Sequence, residues 1–90
     1  ELPSQEVRAL IECESSWKNV KIVDTNGEFS YGILQFQHNT WEEFSKESGI
    51  QGDPMEPMDA IRMGNWAIEH GKISHWYNCA KKKGLLNALE

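Results

Sequence analysis

The stretch Val7–Trp17 places a carboxyl group where it could do acid–base chemistry. Val7, Leu10 and Ile11 fall at the i, i+3, i+4 spacing of a buried helix face, and the i+7 position of that stripe is Glu14. Glu12, two residues earlier, points elsewhere, because i and i+2 do not share a helix face. Glu14 therefore sits on the apolar side of a helix, close to its C-terminal end. That end carries partial negative charge and disfavours an ionised carboxylate. Desolvation pushes the same way, toward the protonated acid. A protonated carboxyl near neutral pH is what a general acid requires. The alternative is a glutamate that escapes to solvent where the helix frays.

Cys13 and Cys79 are the chain's two cysteines. A disulfide between them would close most of the chain and contribute roughly 4 kcal/mol in the chain-entropy model. Two buried thiols would instead pack as small hydrophobes. His75 and Cys79 stand at i, i+4 and could share a metal with Cys13. A closed zinc site needs a fourth ligand, which nothing supplies. No metal and no cofactor are expected.

The elements that must position these residues are mainly helical. Ser4 is expected to cap a helix from Gln5 to about Ser15. Val20 and Ile22 alternate with polar neighbours as a short strand would, and Asp24-Thr25-Asn26-Gly27 is a strong hairpin turn. Phe29–Phe36 is predicted to return as a second strand, with Gly32 marking a bend or a close backbone approach. Asn39 or Thr40 is expected to cap a helix through Ser48, ended by Gly49. Pro57 opens the longest helix, Met58 to His70, whose stripe includes Gly64. Ser74 is expected to cap a last helix, His75 to Lys83, closed by Gly84. The fold class is mainly α (α+β), with a small hairpin after the first helix.

The chain has 90 residues, a length for one domain, read as residues 1–88. Leu89-Glu90 reads as a cloning remnant. The net charge of −5, with no basic run longer than Lys81-Lys82-Lys83, argues against nucleic acid or an anionic membrane as the main partner. Those lysines read as a solvated helix end, where the dipole favours cations, or as a binding patch. No apolar run reaches membrane-spanning length, so no membrane insertion is expected. No secretory leader is legible, as would hold for any trimmed chain. Four tryptophans fill a small core or, in part, line a groove wide enough for a sugar.

Three blocks carry a resemblance to a known family. Ile11-Glu12-Cys13-Glu14-Ser15 is followed by Ser30-Tyr31-Gly32-Ile33-Leu34-Gln35-Phe36, whose Gly32 comes eighteen residues after Glu14. Trp76-Tyr77-Asn78-Cys79 is a weaker third block. In this order they resemble the lysozyme superfamily, and most of all its soluble-lytic-transglycosylase type of peptidoglycan-cleaving domain. The resemblance spans Val7 to Cys79. It implies a small lysozyme-like fold and an enzyme in which Glu14 is the general acid/base. It further implies that Ser30, Tyr31 and Gln35 line the cleft floor, with Tyr77 and Asn78 across it holding substrate. Gln35 could instead satisfy backbone groups in a turn, Tyr77 could belong to the core, and Asn78 could bond backbone.

One departure bears on mechanism. Animal lysozymes of similar sequence carry an Asp where this chain has Ser30. A retaining glycosidase needs a second carboxylate about 5 Å from the acid, and Ser30 cannot serve. Asp24 and Glu28 are the candidates for a more distant base, as in an inverting hydrolase; solvated turn residues are the alternative for both. Transglycosylases of this type manage with one Glu. The resemblance therefore implies cleavage of the MurNAc–GlcNAc bond with 1,6-anhydro products, ahead of hydrolysis at the same bond (a muramidase) or a non-catalytic glycan-binding module. The implied partner is peptidoglycan, met by a monomer or by part of a larger cell-wall protein. The implied location is extracellular, periplasmic or at the cell wall.

Overall fold

A computed structural model describes residues 1–86, so Leu89-Glu90 lies outside the described residues. The chain is mainly α with a small antiparallel sheet. The order is α1 (Gln5–Ser15), β1 (Lys21–Val23), β2 (Phe29–Tyr31), β3 (Phe36–Gln37), α2 (His38–Ser48), α3 (Pro57–Glu69), a 3-10 turn (Ile73–Trp76) and α4 (Tyr77–Lys82).

Helix α1 starts where expected. The Ser4 hydroxyl accepts the Val7 N–H at 3.2 Å, and the Ser4 N–H donates to Oδ1 of buried Asn65 on α3 at 2.9 Å. Asn65 also donates to the Leu2 carbonyl at 2.8 Å, so the start of α1 is pinned to α3. Val7, Leu10 and Ile11 have no exposed surface. Their burial contributes about 1.5–3 kcal/mol per side chain before conformational entropy is counted. Gly64 is what lets α3 come this close. A Cβ there would stand 2.6 Å from Leu34 Cδ1 and 3.4 Å from Val7 Cγ1.

The hairpin turns at Asn26-Gly27 as expected, with Gly27 at φ 84°. The return segment departs from expectation. Phe29–Phe36 is not one strand but two short ones, broken by a turn over residues 32–35. Gly32 takes φ 80°, and a Cβ there would strike the Pro54 carbonyl, so the chain bends where a side chain cannot fit. Gln35 also takes a positive φ, 52°, and completes the bend. The sheet order is β1-β2-β3, with Ile22 opposite Ser30 and Ser30 opposite Gln37.

Two helix starts also differ. Helix α2 begins at His38 with Gln37 as N-cap and no side-chain cap bond, so neither Asn39 nor Thr40 caps it. Pairing of β3 with β2 holds the chain extended up to Gln37, and the helix starts at the next residue. Ser74 does not cap the last helix. It lies inside the 3-10 turn, and α4 begins only at Tyr77.

Candidate functional site

Glu14 stands in the last turn of α1, half-buried, on the wall of a cavity of about 300 Å³. Asp24, Ser30, Gln35, Gln37, His75, Trp76, Tyr77 and Asn78 complete the lining. Burial pushes the Glu14 carboxyl up from 4.5 to about 6, and the negative charge of Asp24 adds to the shift. The expected direction holds, with burial as the first cause, but the second cause is the charge of Asp24 rather than the helix end. Burial penalises the charged form, a nearby like charge penalises it further, and the proton stays on until near neutrality. Glu12 lies on the exposed side of the same helix and pairs with Lys83 at 3.7 Å, which places that lysine at a solvated helix end.

Four tethers hold the cavity floor. The Ser15 hydroxyl, next to Glu14, donates to the Ile33 carbonyl at 2.7 Å. The Trp76 indole N–H donates to the Leu34 carbonyl at 2.8 Å. The Gln35 side-chain amide donates to the carbonyls of Val20 and Gly32, at 3.0 and 2.8 Å. The floor is thus tied to α1, to the 3-10 turn and to the segment before β1. Both donor bonds of Gln35 go to backbone, and its amide oxygen is the group left for a ligand.

Asp24 is held on the opposite side. One carboxylate oxygen accepts the Ser30 hydroxyl at 2.9 Å and the Gln37 amide at 2.8 Å. Ser30 and Gln37 face each other across β2 and β3, so their side chains leave the sheet on the same face. Ser30 is buried, and its hydroxyl orients Asp24.

Cys13 and Cys79 are joined in a disulfide, with Cα atoms 5.7 Å apart. The bond links α1 to α4, one residue from Glu14 on the first and one from Asn78 on the second. Neither sulfur is a free thiolate, so the metal arrangement of His75 with the two cysteines does not form.

The structure brings Glu14 together with Asp24, Ser30, Gln35, Tyr77 and Asn78. It does not bring Tyr31 and Glu28 with them. Those two line a separate hollow of about 310 Å³ with Phe29, His38 and Asn39. Tyr77 is exposed rather than core. Gln37, His75 and Trp76 were not among the expected cavity residues. Gln37 was detectable only through its register opposite Ser30. His75 and Trp76 were detectable only through their closeness in sequence to Tyr77. The cavity can protonate a leaving oxygen through Glu14 and orient a polar ligand through Asp24 and the exposed Tyr77 and Asn78.

Comparison with curated proteins and with solved structures returns no match. A family model, described as the transglycosylase SLT domain, matches residues 1–80. That span holds Glu14, the Gly32 bend and the Tyr77-Asn78 pair, and by it the chain belongs to the transglycosylase SLT domain family.

Proposed function

We propose that this domain cleaves the β-1,4 bond between MurNAc and GlcNAc in peptidoglycan as a lytic transglycosylase, with Glu14 as its acid and base. The observation that carries the reading is a carboxyl raised to about 6 on the wall of an open cavity. A group near neutrality can serve as acid and then as base in one cycle. Glu14 gives its proton to the glycosidic oxygen as the C1–O bond breaks. The resulting carboxylate takes the proton of the 6-hydroxyl on the same MurNAc. That oxygen closes on C1, and a 1,6-anhydro ring forms without water.

Asp24 favours a second reading, hydrolysis of the same bond. It lines the same cavity as Glu14 and is oriented by Ser30 and Gln37. As a base it would take a proton from water attacking C1 while Glu14 protonates the leaving oxygen. Glu28 has no such placement. The disulfide is consistent with a site of action outside the reducing cytosol, in the periplasm or at the cell wall.

Mass spectrometry of the muropeptides released from purified sacculi decides between the readings. Anhydro ends from the wild type and none from Glu14→Gln support the transglycosylase. Products heavier by one water support hydrolysis. Absence of products from a folded sample would overturn both.

A further inference from the structure

His75 is a polar ring in apolar company. Its imidazole stacks on Phe36 with centroids 5.7 Å apart and planes 16° apart. Phe44 and Trp76 meet it edge-on at 5.9 and 4.8 Å. Removing an imidazole from water costs free energy that a phenylalanine here would not incur. Proteins usually offset that cost with a hydrogen bond. Among the described residues no protein group bonds the ring nitrogens, and burial alone pushes the ring's pKa down to about 4. Yet among the described residues no buried side-chain nitrogen or oxygen is sealed off without a partner. The polar edge of His75 must therefore reach open space.

Two hollows adjoin the ring. One is the Glu14 cavity. The other, about 310 Å³, is bounded by Thr40, Glu43, Phe44, Lys72 and Ser74. Only the first also holds Glu14, Tyr77 and Asn78. We propose that His75 is a substrate-binding residue of the Glu14 cavity, its imidazole hydrogen-bonding a hydroxyl or acetamido group of the glycan strand. This rests on the glycan-cleaving reading above. A neutral imidazole offers one donor and one acceptor, the pairing that a hydroxyl or an acetamide requires. The aromatic contacts hold the ring, and the neighbouring Trp76 is bonded to the cavity floor, so little ordering is left for binding to supply.

The test uses His75→Phe, which keeps the stacking and deletes both nitrogens, and His75→Gln, which restores a donor and an acceptor. kcat and KM are measured on sacculi. Binding of peptide-free GlcNAc–MurNAc strands is measured by calorimetry in the Glu14→Gln background. His75→Phe should melt no lower than the wild type and lose about tenfold in kcat/KM and in glycan affinity, with His75→Gln recovering part of the loss. Wild-type cleavage and binding in His75→Phe would overturn the proposal. So would a loss in both variants that follows a fall in melting temperature. If the wild type does not cleave, the functional reading fails while strand binding still decides His75: affinity unchanged by His75→Phe, or no binding by any form, overturns its role.

Discussion

Two hollows on this small protein invite comparison. The larger, about 640 Å³, runs along α2 and is lined by His38, Trp41, Glu42, Lys46 and Asp53 among others. Its charged groups stand in water. Glu42 meets Nε2 of His38 at 3.1 Å with side chains 58% and 70% exposed, and a contact so placed contributes little. The Glu14 cavity has less than half that volume. There a carboxyl is half-buried, with no lysine or arginine among the described residues of the lining and with a second carboxylate in the same cavity, and its proton affinity is raised. Volume alone does not mark out the hollow suited to acid–base chemistry. Desolvation of an unpaired acid does, because the free energy spent on burying it is what shifts its chemistry.

The largest expected effect separates the two hollows outright. Glu14→Gln should lower the rate of strand cleavage by about 10²–10⁴-fold. Lys46→Ala in the larger groove should stay within about twofold of wild type. Equal losses in a sacculus-digestion assay would show that the groove takes part.

Next comes the clamp, which only the smaller cavity has. The disulfide spans 66 residues and joins the two helices that carry Glu14 and Asn78. Its reduction should remove about 4 kcal/mol of stability in the chain-entropy model. Calorimetry with and without reductant reads this directly, and superimposable melts would refute it.

Asp24→Asn should act through the charge it removes. The basic limb of the pH–rate profile, expected near pH 6 for wild type, should move lower yet remain above 4.5, because burial is the larger cause of the shift. Activity at pH 7 should fall by no more than about fivefold with the protonated fraction of Glu14. A loss as deep as that of Glu14→Gln, with reducing-end products, would move the assignment to hydrolysis.

The smallest effect is on stability. Folded Glu14 binds its proton more tightly than the unfolded chain does, about 6 against 4.5. The stability it contributes is present below pH 4.5 and lost as pH rises through 6. Glu14→Gln should therefore be more stable than wild type at pH 7.5 by about 1 kcal/mol, discounted for the part of the side chain that faces solvent. The gain should vanish near pH 4. Equal melting temperatures at both pH values would remove burial as the cause.

What could be read in advance follows the range of the interactions involved. Helix α1, its Ser4 cap and the Asn26-Gly27 turn depend on neighbours a few residues apart, so local pattern finds them; at Gly32 the residue type marks the place, and the Pro54 carbonyl that crowds it comes from a distant segment. Glu14 is legible for the same reason, since helical spacing alone puts it on the Val7–Ile11 stripe. The split return strand and the start of α2 at His38 depend on pairing between β2 and β3, which local propensity does not record. Gln35 shows the limit within one residue. The Gly32 block marks it as a cleft residue, yet only the fold reveals that its amide hydrogens go to Val20 and Gly32.

The sequence by itself determined that an acid would lie on the apolar face of α1, near its C-terminus, with a bend to follow eighteen residues later. Spacing along one helix and the steric freedom of glycine suffice for that. Tertiary structure decided which groups meet the acid. It bound Asp24 through Ser30 and Gln37, moved Glu28 and Tyr31 to another hollow, and put His75 on the wall of the Glu14 cavity. Desolvation and charge coupling depend on distances between segments remote in sequence, and these exist only once the segments have packed.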